Sequence, residues 1–350
     1  MTFENSTSVL TSALDAGLFS AVSAEVGSVR GSTWTHAAGR LSFEPEAAAA
    51  DADTIFDLAS LTKVLATATL GVQLVAAGRL DLAAPVSSLI KKWSKPDRAA
   101  VTVRDLFEHS SGLPAHRRYF EQQAGRLDYE TAIAVEPLEY PPRQRSLYSD
   151  LGFILLGFIL EDAGGAPLDR QFHDWRTAEA FSEPIDFRPP LDWRSRIAST
   201  GHDRWRGAIR PGEVHDENTA ALGGVAGHAG LFGTADAVGR IARWWLARLL
   251  GDSQADDAAT ARAFVIRSNV PGSSRALAWD TMLTTSSCGE RWSARAIGHT
   301  GFTGTSLWID PACDRYAVLL TNYVLQSRDR EKIREVRRAF HDAVVADSTR

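Results

Sequence analysis

The chain has 350 residues, 44% hydrophobic and 23% charged, with 27 glycines and 14 prolines, which excludes a disordered, collagenous or low-complexity protein. Lys plus Arg number 38 and Asp plus Glu 43, a net charge of −5, without the basic stripe that a nucleic-acid partner requires. At this length one compact core has usually stopped growing, so two packed domains, or one with a large insertion, are expected.

The opening Met1-Thr2-Phe3-Glu4-Asn5-Ser6 has neither a basic n-region nor an apolar h-region, so a cytoplasmic location is expected. Residues 19–26 and 33–38 predict two short strands, with a turn around Gly27 and Gly31. After Phe56-Asp57-Leu58-Ala59, apolar Leu61, Leu65, Ala68, Val72 and Val75 recur at helical spacing, and Gly78 supplies a stop. A second helix starts at Ser149, a good N-cap, and ends at Gly164-Gly165; its internal Gly152 and Gly157 permit close packing. The apolar run 151–160 inside it falls short of the ~18 residues of a membrane span, so no membrane association is expected.

Residues 171–218, rich in Arg, Trp, Pro and Asp, read as a long ordered loop or lid. A third helix runs from Thr234 through Ile241, Trp244, Trp245 and Leu249. Strands are expected at 277–283, 293–297, 305–309 and 315–322, and an Arg-rich amphipathic helix over 329–345 closes the chain. Strands at both ends with helices between imply a discontinuous α+β domain, 1–62 and 265–350, into which a mainly helical domain, 63–264, is inserted.

Only five lysines occur: Lys63, Lys91, Lys92, Lys95 and Lys332. Arginine keeps its proton, whereas a buried lysine can lose it. In Ser60-Leu61-Thr62-Lys63 the two polar residues share a helical face, so the amine reaches the hydroxyl, and a desolvated lysine can serve as the base that activates a serine. Ser60 opens the helix, where its N–H points outward toward a developing oxyanion. The alternative is an N-capping serine with a surface lysine. A second such spacing, Ser88-Leu89-Ile90-Lys91, runs into Lys92-Trp93-Ser94-Lys95 and reads as a solvated face.

Tyr148-Ser149-Asp150 falls just ahead of the second helix, where a phenol beside a lysine can shuttle protons; a buried tyrosine next to a helix cap is the plainer alternative. His299-Thr300-Gly301 fits a strand lining a substrate, or a tight turn between Ile297 and Phe302. The segment from Gly223 to Gly230 lacks the Gly-Lys-Ser/Thr ending of a phosphate loop and reads as tight backbone packing. His202-Asp203 and His215-Asp216 read as loop hydrogen bonds, Cys288 and Cys313 as free thiols, and no metal or cofactor is expected. Trp193 and Trp205 are the tryptophans placed to meet a ligand.

The order Ser-x-x-Lys, Tyr-x-Asp, His-Thr-Gly resembles the serine β-lactamase and penicillin-binding-protein superfamily. The closest resemblance is to its class C-like branch with family VIII esterases and D-alanyl-D-alanine carboxypeptidases. Residues 56–63, 106–114, 214–218, 223–232 and 299–311 resemble that branch too.

The resemblance implies an antiparallel sheet flanked by N- and C-terminal helices, with an all-helical insertion. It implies Ser60 as acylated nucleophile, Lys63 as its activator and Tyr148 as proton carrier. The N–H groups of Ser60 and Phe302 would form the oxyanion hole, and Asp150, His299, Thr300 and Gly301 would line the substrate. Asp150 stands where Asn is usual, adding a charge able to pair with Lys63; His299 stands where Lys is usual, exchanging a fixed cation for one that titrates near neutral pH. Both changes point toward neutral esters or amides and away from anionic substrates. The expected activity is that of a serine hydrolase cleaving small esters or amides. The alternatives are a D-alanyl-D-alanine carboxypeptidase or weak β-lactamase, and a silent binding module of the same fold.

Overall fold

The computed structural model describes residues 2–251 and 253–349; Met1, Asp252 and Arg350 lie outside the described residues. Eleven short strands occur among them: β1 (Ala21–Ser28), β2 (Gly31–Gly39), β3 (Phe56–Asp57), β4 (Ile185–Phe187), β5 (His202–Asp203), β6 (Gly207–Ala208), β7 (Leu231–Gly233), β8 (Asp280–Thr281), β9 (Ile297–Thr300), β10 (Ser306–Asp310) and β11 (Arg315–Thr321). Six of them form an antiparallel sheet in the order β2-β1-β11-β10-β9-β8, so the two ends of the chain meet at the β1–β11 pair.

Period-two alternation decides which residues face which layer. On β11, Ala317 and Leu319 pack with Phe3, just ahead of the first helix, and with Leu10, Phe340 and Val344 of the terminal helices Glu4–Asp15 and Arg330–Ser348. Tyr316, Val318 and Leu320 point the other way, into a core shared with the helices of the middle of the chain. The terminal helices are tied together where the amide and hydroxyl of Ser6 donate to the Asp347 carboxylate at 2.9 and 2.8 Å.

The helices Asp150–Gly164 and Ala235–Leu249 start at the expected caps, with Ser149 and Thr234 accepting from Gly152 and Ala237 N–H. The stretch Ala59–Ala76 is long and apolar enough to span a membrane, yet 78% of it is packed inside the protein. Gly157 meets Gly227 closely: a Cβ on Gly227 would stand 2.8 Å from the Gly157 nitrogen and run into the Phe153 carbonyl. The glycine-rich segment is thus close backbone packing against the second helix.

Three expectations are corrected. The strand expected at 277–283 is reduced to β8, because Ala278 adopts a left-handed conformation (φ +72°) and breaks the extended run. The strand expected at 293–297 begins only at Ile297, because Ser293 is held in a turn by two hydrogen bonds to Asp310, at 3.0 and 2.6 Å. Residues 171–218 are not one irregular loop: the helix Leu168–Ala178 enters the segment, β4 pairs with β7, β5 and β6 form a hairpin, and the helix Glu217–Ala221 begins at its end. Strands of two or three residues are too short to show alternation, which hid them from the sequence.

Candidate active site

Short-range forces fix the backbone at Ser60. The buried Asp57 carboxylate accepts from the Ala59 and His215 amides at 2.8 and 2.7 Å. Leu58 N–H donates to Leu231, and Thr303 Oγ1 donates to the Asp57 carbonyl at 2.7 Å. These bonds hold Ala59 at φ +46°, a conformation that surroundings must impose on a side-chain-bearing residue.

A 3-10 turn, Ala59–Leu61, follows, and then a π-helical turn, Lys63–Ala68, before the α-helix Thr69–Ala76. The single regular helix expected from Ser60 onward is therefore replaced by three helix types; π-turns within helices recur at functional sites. The winding leaves Ser60 partly exposed and Lys63 fully buried.

Three distant stretches converge on the Ser60 hydroxyl. Lys63 Nζ donates to Ser60 Oγ at 3.0 Å, and Tyr148 Oη donates to the same oxygen at 2.9 Å. The other two ammonium protons of Lys63 go to Asp150 Oδ1 at 2.8 Å and to the His228 carbonyl at 3.1 Å. Tyr148 lies between the rings of His109 and His299, 4.7 and 5.8 Å between centroids, and His109 rests in turn on Phe153. The Ser149 amide donates to His109 Nδ1 at 3.0 Å, so the ring that braces Tyr148 is itself held by the helix cap. The second candidate, Ser88 with Lys91, is solvent-exposed.

Electrostatics correct two expectations. Burial alone would depress the Lys63 amine, but the Asp150 and Tyr148 neighbours outweigh it and raise Lys63 above its ordinary value. Burial likewise pushes Asp150 up, and the Lys63 ammonium overrides it, holding the carboxyl well below the usual range. Lys63 is thus an ammonium in the resting site, not the neutral base expected from its sequence setting.

His299 is buried, and burial first, then the Arg275 and Lys63 charges, push it well below its ordinary value. Its Nδ1 faces the Thr300 carbonyl at 2.8 Å, and its buried Nε2 has no hydrogen-bond partner among the described residues. It is a neutral ring, not a cation titrating near neutrality. Burial raises the Tyr148 phenol, opposed by Lys63.

The turn after β9 carries Gly301 and Phe302 against the same backbone. Thr305 Oγ1 donates to the Leu58 carbonyl at 3.2 Å, and a Cβ on Gly301 would stand 2.7 Å from that oxygen, so only glycine fits. Among the described residues the Phe302 amide makes no backbone hydrogen bond, and Ser60 sits where a helical turn leaves its first N–H groups unpaired. Thr300 ends β9 and is partly exposed.

Several neighbours were not singled out in the sequence. Arg275 lies 5.3 Å from the Tyr148 ring and has no carboxylate partner among the described residues. His116 approaches Asp150 Oδ2 at 3.7 Å, and His228 Nε2 meets Asp216 Oδ1 at 2.9 Å. None carries a local motif; only their tertiary placement marks them.

Of the two tryptophans placed near a ligand, Trp193 packs on a small core with Ile55 and Phe232, and Trp205 is exposed beside Phe120. Asp203 pairs with Arg206, the His215 amide binds Asp57, and Asp216 caps the helix Glu217–Ala221. Among the described residues no group of His, Cys, Asp and Glu is arranged to hold a metal ion, and both cysteines are free. A cavity of about 580 Å³ lined by Arg188, Arg194, Arg206 and Arg210 contains none of the residues around Ser60.

The chain is similar to several known proteins. The chain is 32% identical over 310 residues to an N-acetylmuramyl-L-alanine amidase of Bacillus subtilis (strain 168), covering 77% of this chain and 68% of that protein. It is 32% identical over 300 residues to a putative D-alanyl-D-alanine carboxypeptidase of Escherichia coli O157:H7, covering 77% and 69%. The fold is shared with a β-lactamase from Sulfitobacter sp. EE-36 (TM-score 0.78, 21% identity, 99% of this chain and 97% of that one). It is also shared with EstCE1, described as a hydrolase with promiscuous acyltransferase activity (TM-score 0.75, 19% identity, 97% and 98%). The family model for beta-lactamase matches residues 21–341, and the chain belongs to the beta-lactamase family of serine hydrolases.

Proposed function

We propose that this hydrolase cleaves small esters or amides through an acyl-enzyme on Ser60. The observation that carries the reading is the placement of Lys63 Nζ and Tyr148 Oη at 3.0 and 2.9 Å from one partly exposed serine oxygen. Lys63 has all three protons committed, so the carrier is Tyr148. As Ser60 Oγ bonds to the substrate carbonyl carbon, its proton passes to the Tyr148 oxygen, and the phenol's own proton goes to the departing oxygen or nitrogen. The carbonyl electron pair comes to rest on the oxygen facing the Ser60 and Phe302 N–H groups, and its return expels the leaving group. Water then attacks the ester on Ser60, giving a proton to Tyr148 while Tyr148 returns one to Ser60. The Lys63 ammonium stabilises negative charge on both oxygens throughout.

The test is hydrolysis of a short-chain p-nitrophenyl ester. Ser60→Ala should abolish turnover and acylation, and retained activity in that variant would remove Ser60 from the mechanism.

A second reading, a carboxypeptidase-like preference for substrates ending in a carboxylate, is favoured by Arg275. A guanidinium beside Tyr148 with no acidic partner among the described residues is a natural anchor for such a group. This runs against the neutral-substrate preference expected from His299. Comparing a D-alanyl-D-alanine peptide with its carboxyl-terminal amide decides it: the free acid should be preferred, and Arg275→Met should erase the preference. Equal rates for acid and amide in the unaltered enzyme would reject this reading.

A further inference from the structure

Arg337 is buried in the C-terminal helix, and no carboxylate pairs with it among the described residues. Burial, with the Arg330 charge, lowers its guanidinium to about 9, so it stays a cation at neutral pH. An unpaired buried cation is costly and needs a compensating interaction. Here the compensation is two backbone carbonyls: Arg337 Nη2 donates to Gly301 O at 2.6 Å and to Thr305 O at 2.9 Å, while its Nε has no partner among the described residues. Gly301 O and the Phe302 N–H belong to the same peptide unit.

We infer that Arg337 is a positioning residue that polarises the Gly301–Phe302 peptide and so strengthens the Phe302 N–H as an oxyanion donor. A charged donor on the carbonyl side of an amide draws electron density from its nitrogen, and hydrogen bonds in series reinforce one another in a low-dielectric interior. The second bond, to Thr305 O, fixes the other end of the turn, whose Thr303 and Thr305 hydroxyls dock on the carbonyls of Asp57 and Leu58 beside the nucleophile. The C-terminal helix thereby acts on the site without touching substrate. This inference rests on the oxyanion role given to Phe302 in the proposed function.

The test compares Arg337→Gln and Arg337→Lys with the unaltered enzyme. Complete loss of one oxyanion donor costs about 10²–10³ in kcat; weakening a donor that stays in place should cost about tenfold. Expected for Arg337→Gln are a roughly tenfold lower kcat on the p-nitrophenyl ester, a similar loss of affinity for phenylboronic acid, and an unchanged KM. Arg337→Lys, which keeps the charge but not both bonds, should fall between. In protein labelled with ¹⁵N-phenylalanine and free of substrate, the Phe302 amide proton should move upfield in both variants.

Unaltered boronate affinity in whichever variant folds would overturn the inference. So would an unmoved Phe302 resonance, or a rise in KM that accounts for the whole loss of kcat/KM. The resonance is read without turnover, so it still decides the matter if the unaltered protein neither hydrolyses the ester nor binds boronate, a result that would instead remove the proposed function.

Discussion

Asp150 Oδ1 lies 2.8 Å from Lys63 Nζ, and the ammonium is completely sealed from solvent. Asp150 is held below its unfolded value, so its contribution to stability is present above about pH 4 and is lost as the pH falls. Lys63 is raised above its unfolded value, so its contribution is present below about pH 10 and is lost as the pH rises past that. The ion pair therefore stands across the whole neutral range. Asp150→Asn leaves a buried cation without a counter-ion, a loss of about 3–5 kcal/mol that shrinks to the extent that Lys63 sheds its proton. The expected outcome is a lower melting temperature at pH 7 and a kcat/KM profile whose alkaline limb moves to lower pH, because Lys63 then sheds the proton it needs at a lower pH. A profile that superimposes on that of the unaltered enzyme would show that Asp150 does not set the charge of Lys63.

Tyr148→Phe keeps the ring between His109 and His299 and removes only the hydroxyl that meets Ser60. The fold should be retained, since stacking holds the ring, while kcat falls by about 10²–10⁴, the range for losing a general acid–base. Steady-state kinetics together with a thermal melt checks both halves. A variant within threefold of the unaltered kcat would assign the proton transfer to another group.

His299→Lys restores the residue usual at that position of the third motif, but here it places an ammonium in a buried position already under the fields of Arg275 and Lys63. Lower thermal stability and no gain in affinity for carboxylate-bearing substrates are expected. A drop in KM for nitrocefin would contradict this.

Gly227→Ala drives a methyl group into the backbone of the second helix at Phe153 and Gly157. Neither contact is a flexible side-chain end, so the helix or the segment must shift, at about 1–3 kcal/mol. Because Thr67 and Lys63 donate to the carbonyls of Gly227 and His228, activity should fall with stability. Chemical denaturation and ester hydrolysis, measured together, test the coupling.

Much of the scaffold was readable because it follows local rules. Ser149 and Thr234 are oxygen-bearing caps ahead of long apolar helices, and both start helices in the structure. The alternation in 315–322 became β11 because one row of its side chains meets each core. The two-residue strands and the turn at Ala278 escaped notice because a handful of residues carries no period, and β3 finds its partner β7 only far along the chain.

The sequence by itself determined the chemical groups and their order: a serine three residues before a lone lysine, a tyrosine ahead of a capped helix, and a glycine that permits a tight turn beside the nucleophile. These are properties of neighbours along the chain, where covalent spacing and helix geometry limit the outcomes. Tertiary structure decided the charge states. Lys63 is a cation, His299 is neutral and Arg275 has no carboxylate partner among the described residues, because each depends on the field, desolvation and placement created by residues from other segments. The link from Arg337 to Phe302 has the same origin: a helix at the end of the chain meets one peptide bond of a turn some 35 residues before it, and no local pattern encodes that meeting.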